Sequence, residues 1–148
     1  MWVLYAVLSA LFAALTALFA KVGVKDINSN LATAIRTVVI LIIAWGIVIF
    51  TGAGTGNGLT GVSEGFAAIS RRTLLFLVLS GAMTGLSWLC YFKAIQEGPL
   101  SIVAPIDKLS VVLTVLLSFI VLGEPFTCKI LVGMVFIVTG VLIMIFWN

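Results

Sequence analysis

The sequence predicts an all-α membrane protein with five transmembrane helices, and three observations carry that reading. Hydrophobic residues make up 63% of the 148-residue chain and charged residues only 9%, where a soluble domain is nearer ~45–50% apolar and ~25% charged. So few charges cannot cover so apolar a surface in water, whereas a bilayer favours it. The apolar residues also gather in five runs, each long enough as a helix to cross about 30 Å of hydrocarbon. Within each run hydrophobicity is continuous rather than alternating, which excludes the strands of a membrane barrel.

The first run, Trp2–Val22, has no Lys or Arg ahead of it and four further runs behind it, so it reads as a span rather than a cleaved leader. Gly23–Asn30 joins it to the second run, Leu31–Phe50, and offers Asp26, Asn28 and Ser29 as turn and capping residues. Thr51–Gly65 contains six glycines and reads as a flexible loop. Glu64–Ile69 then reads as a short interfacial helix ahead of Arg71 and Arg72. The third run, Thr73–Ile95, meets the fourth, Leu100–Leu122, across Glu97-Gly98-Pro99, a tight break that forces an antiparallel pair. Gly123-Glu124-Pro125 leads to the fifth, Lys129–Trp147, with Thr127 as its expected N-cap. The whole chain, 1–148, reads as a single transmembrane domain.

An odd number of spans puts the two termini on opposite faces of a multi-pass protein of the cell membrane. Lys21, Lys25 and Lys93 flank the spans on one face, and Arg71, Arg72 and Lys129 on the other. Basic residues near span ends set orientation. Three against three sets almost none, and such a chain is able to insert both ways round.

Several function classes drop out. The net charge is +3 and the basic residues form no stripe, so no nucleic-acid partner is expected. Without histidine the commonest acid–base group and metal ligand is missing. Neither a catalytic constellation nor a metal set is present, and no enzyme activity, metal or cofactor is expected. Gly56-Asn57-Gly58-Leu59-Thr60-Gly61 matches a dinucleotide fingerprint in letters, but a membrane span precedes it where a strand is required. Cys90 and Cys128 fall at opposite faces, too far apart for a disulfide.

Charges inside spans are the sharpest functional signal. Arg36 lies about two turns into the second span, and Asp107-Lys108 about two turns into the fourth, at a shared depth of roughly 10 Å. A lone charge at depth costs ~2.5–3.5 kcal/mol unless paired or hydrated. One reading is a structural Arg36–Asp107 ion pair with lysines reaching for headgroups. The other is a water-filled vestibule that contacts a substrate, and the two are compatible. Asp107, Ser110, Thr114 and Ser118 follow helical spacing along one face of the fourth span, and Ser80, Thr84, Ser87 and Tyr91 do so along the third, with Trp88 beside them. Small hydroxyl residues also serve as packing groups. The stripe that ends at a carboxylate, near Trp88 and Tyr91, favours a cavity wall, and Pro105 frees a carbonyl beside it. Gly81 and Gly85 in the third span, and Gly133 and Gly140 in the fifth, mark helix contacts within or between chains.

Tyr91 to Met144 resembles the C-terminal part of an EamA domain of the drug/metabolite transporter superfamily. The marks are Tyr91…Ala94 before the Gly98-Pro99 break, Pro105, Leu122-Gly123-Glu124, and Gly133…Gly140-Val141. Ala34-Ile35-Arg36 resembles that family's arginine in the second span. The resemblance implies a transporter of small metabolites, commonly built from two inverted five-span repeats, of which this chain has one EamA-like repeat. Gly133–Val141 is also similar to the last helix of the small multidrug exporters, which dimerise antiparallel through it. Those exporters carry an acidic residue in their first helix and Trp2–Val22 has none, so their proton-coupled export of lipophilic cations is not implied.

Together these readings lead to a transporter that exports or exchanges a small polar or zwitterionic metabolite. It would work as an antiparallel homodimer in the lipid bilayer, with the path near the midplane. Arg36, Trp88, Tyr91, Asp107, Lys108, Ser110 and Thr114 are the expected pathway residues. Arg36, Lys93 and Lys108 make the vestibule cationic. The alternatives are a half-transporter subunit with a different membrane partner, and a scaffold or regulator that transports nothing.

Overall fold

The computed structural model describes residues 2–51, 65 and 69–147. No strand occurs among the described residues, and five helical segments are long and apolar enough to cross a membrane. The glycine-rich stretch with its Gly56–Gly61 motif, and most of Glu64–Ile69, lie outside the described residues. Two units divide the chain: Gly23–Lys93 is one, and Met1–Val22 with Ala94–Asn148 the other.

In the Gly23–Lys93 unit, helix α2 spans Ser29–Thr51. It begins two residues before the apolar run because Asn28 caps it. The Asn28 Oδ1 accepts the Asn30 N–H at 2.8 Å, and the Asn28 carbonyl accepts the Ala32 N–H at 3.0 Å, which satisfies donors that a helix start leaves open. Helix α3, Arg71–Glu97, starts early for the same reason, since Ser70 Oγ accepts the Thr73 N–H at 3.1 Å. Arg71 and Arg72 therefore fall in its first turn, where the helix dipole disfavours cations, a position that suits contact with anionic headgroups. The threonines turn inward on their own helices. Thr33 donates to the Ser29 carbonyl at 2.9 Å, Thr37 to Thr33 at 2.8 Å and Thr84 to Ser80 at 2.9 Å. Hydrocarbon offers no water, so the i−4 carbonyl is the available partner.

In the other unit, α1 spans Trp2–Gly23 and the end of α3 closes with a bond from Gly98 N–H to the Ala94 carbonyl at 2.8 Å. A Cβ at Gly98 would stand 3.2 Å from Val103 Cγ2 and 3.3 Å from the Ala94 carbonyl, so this turn has room for glycine and little else. Pro99 opens the next segment, its carbonyl accepting the N–H groups of Ile102 and Val103, both at 3.1 Å. The fourth span is not one continuous α-helix. It runs as α4, Leu100–Asp107, then α5, Leu109–Leu117, then a π-helical turn at Ser118–Leu122. Gly123 ends it in the left-handed conformation with φ 67°, which costs glycine nothing sterically. Helix α6, Cys128–Phe146, follows Thr127, whose extended backbone takes the N-cap position while its hydroxyl makes no capping bond. Both α4 and α5 pack against α6.

Few side chains are buried among the described residues, and Val24, Phe92, Ile95, Met134 and Val141 are the apolar ones there. Phe50, Phe146 and Trp147 are more than 80% exposed. Helices apolar on every side present that surface to lipid or to another membrane helix.

Candidate functional site

Pro105 lies inside α4. Proline has no N–H to give the Ser101 carbonyl, and its ring crowds the preceding turn. Three residues on, the Lys108 N–H donates to the Pro105 carbonyl at 3.0 Å, and the Val111 N–H donates to Lys108 at 3.0 Å. Both bonds skip one residue fewer than an α-helix does, and the helix restarts at Leu109. Asp107 and Lys108 thus occupy a locally tightened turn within a membrane span. The Lys108 ammonium and the Asp107 carboxylate lie 3.3 Å apart, with the lysine side chain 60% and the aspartate 36% exposed. A pair so exposed contributes at most ~1 kcal/mol. The charges do suit their places. Lys108 follows the negative end of α4, and Asp107 precedes the positive end of α5. Irregular backbone at membrane depth is tolerated where it lines a cavity or is covered by protein.

Asp107, Ser110, Thr114 and Ser118 follow one another along the span, whose backbone stays right-handed helical at Lys108 and at Ser118. Ser110 and Thr114 sit on the regular α5, where Thr114 donates to the Ser110 carbonyl at 2.8 Å. Ser118 opens the π turn and donates its hydroxyl to the Glu124 carboxylate. That carboxylate helps line a groove of about 200 Å³ with Thr114, Phe119, Phe126 and Ile130. Sequence spacing did not single out the Ser118–Glu124 contact, because it depends on the chain reversing at Gly123.

The other unit brings Arg36, Trp88 and Tyr91 together with a residue that spacing alone had not singled out. The Arg36 guanidinium carbon lies 3.3 Å from the Trp88 ring centroid and 5.5 Å from that of Phe92. Trp88 meets Tyr91 edge to face at 5.9 Å and Phe92 at 5.8 Å. Trp88 and Phe92 are one helical turn apart on α3, so one arginine spans both rings. Phe92 was legible as the i+4 neighbour of Trp88, hidden in a run of apolar letters.

Lys21 is not the headgroup anchor its place at a span end suggested. Its ammonium donates to the carbonyls of Ile95 and, at 2.8 Å, of Gly98. It thereby ties the end of α1 to the end of α3 and satisfies carbonyls that a helix C-terminus leaves open. The four glycines proposed as contact points have open space around them: an added Cβ at Gly81, Gly85, Gly133 or Gly140 meets nothing within 4 Å.

Comparison with known families matches residues 1–146 to the EamA-like transporter family. A Sinorhizobium sp. protein described as "Uncharacterized transporter in cobO 3'region" is 47% identical over 143 residues, 97% of this chain and 95% of that protein. No solved structure matches the chain. Membership points to transport rather than catalysis. With five apolar spans and a family match over almost its whole length, the chain belongs to the EamA-like transporter family of multi-pass membrane proteins.

Proposed function

We propose that this transporter exports or exchanges small polar or zwitterionic metabolites across the cell membrane, as an antiparallel homodimer of five-helix repeats. The charged pair Asp107-Lys108 inside the fourth span, at a locally tightened turn, carries the reading. Ionisable residues inside a membrane span are costly and mark substrate or ion sites. Arg36, Trp88 and Tyr91 in one unit, and Asp107, Lys108, Ser110 and Thr114 in the other, are the residues assigned to the path. The odd span number and the three-to-three balance of flanking charges support an inverted second copy. Gly133 and Gly140, two turns apart in open space, support a seam with that copy.

The test reconstitutes the purified protein into liposomes loaded with a mixture of amino acids and small organic acids. Mass spectrometry of the retained contents should show selective loss of some solutes relative to protein-free vesicles, slowed by Asp107→Asn. Equal retention of every solute would refute transport of this class. A single cysteine, Asn57→Cys with Cys90→Ser and Cys128→Ser, should react with impermeant reagent from both sides of the membrane. Reaction from one side only would refute the antiparallel arrangement.

A further inference from the structure

We infer that the Arg36–Trp88 stack is a carboxylate-binding element, so that the transported metabolite carries a carboxylate group. The inference rests on the transport reading for its functional meaning, but the binding itself stands on the geometry of one unit.

A guanidinium carbon 3.3 Å from the Trp88 centroid lies in van der Waals contact with the indole, which covers one face of the cation. The donors of a guanidinium lie in its plane, in a fork whose spacing matches a carboxylate. Stacking therefore leaves the hydrogen-bonding edge available while fixing its orientation. Within the Gly23–Lys93 unit the guanidinium meets the rings of Trp88 and Phe92. A cation–π contact offsets about 0.5–2 kcal/mol, less than the ~2.5–3.5 kcal/mol cost of a charge at depth. A bound carboxylate would supply the rest.

The direction of the side chain separates a substrate site from a lipid anchor. Arg36 lies seven residues into α2, roughly 10 Å from its start, and Trp88 lies nine residues before the end of α3, roughly 14 Å from that end. Those two helix ends belong to the same membrane face. A helical side chain leans toward its own N-terminus, so an arginine seeking headgroups would lean from position 36 toward Ser29. This one instead lies against the Trp88 and Phe92 rings of α3. Snorkelling is the cheaper course for an arginine with no other task. Phe92, 3% exposed, supplies a dry wall beside the cation, and low local dielectric strengthens the attraction of an anion. A planar carboxylate meets the fork with two parallel bonds.

The experiment uses full-length protein in detergent with Trp2→Phe, Trp45→Phe and Trp147→Phe, so that fluorescence reports Trp88. It is titrated at constant ionic strength with acetate and benzoate, with acetamide and benzamide as uncharged counterparts, and with phosphatidylglycerol micelles. Carboxylates should change the emission saturably and the amides should not. Arg36→Lys should weaken binding by about tenfold or more, since an ammonium loses the paired bonds, and Arg36→Gln should abolish it. Wild-type melting temperature, raised by carboxylates and not by amides, provides the same readout without the tryptophan substitutions. Equal responses to acid and amide, or binding that survives Arg36→Gln, would overturn the inference. So would phosphatidylglycerol saturating the signal and blocking the carboxylates, which would make Arg36 a lipid anchor. Carboxylate binding without flux of any solute would refute transport and leave this site standing. Flux of an amine unaffected by Arg36→Gln would do the reverse.

Discussion

Lys21→Met removes an ammonium and keeps a side chain of similar length that still packs on apolar surface. Two bonds are lost, to the carbonyls of Ile95 and Gly98. A hydrogen bond from a charged donor contributes ~1.5–3 kcal/mol, and the lower end applies because the ammonium is only partly buried. Two such bonds give about 3 kcal/mol, and the carbonyls left at the α3 terminus have little water to turn to. Equilibrium unfolding in mixed micelles, with SDS as the variable and circular dichroism as the signal, measures the change. Lys25→Met is the control, because Lys25 is exposed in the following turn and surface changes stay within ~0.5 kcal/mol. The expected order is a loss of about 2–4 kcal/mol for Lys21→Met and almost none for Lys25→Met. Equal effects from the two lysines, both under ~0.5 kcal/mol, would refute the idea that Lys21 ties α1 to the α3–α4 turn.

Three further outcomes follow from the same geometry. Gly98→Ala should cost about 1–3 kcal/mol in the same unfolding assay, because its methyl group would press on Val103 and the Ala94 carbonyl. Pro105→Ala restores a donor to the Ser101 carbonyl and should raise stability by ~1 kcal/mol or more, while slowing solute loss from liposomes if the tightened turn at Lys108 serves transport. Trp88→Phe and Thr114→Val should leave the dimer unchanged on a sizing column yet weaken binding or flux, whereas Gly140→Leu should lower the dimer fraction; damage to assembly alone by the first two would make them packing groups.

Membrane class, helical architecture and five spans were readable from the order of residues, because the bilayer demands about 20 apolar residues per crossing and marks every exception as an expense. For that reason Arg36 and Asp107-Lys108 stood out before any coordinates. Helix starts at Ser29 and Arg71 were harder to place, since capping by Asn28 and Ser70 extends a helix past its apolar stretch. Partners were not readable at all. Lys21 looked like any span-end lysine until α1 met the α3–α4 turn, 74 residues later in the chain. Arg36 had a depth but no stacking ring until α2 lay beside α3, and Ser118 had no carboxylate until Gly123 turned the chain back toward it. Burying a charge is an energetic statement about one residue and its solvent, which a linear string expresses. What compensates the charge depends on which distant backbone comes within 3 Å, and only packing decides that.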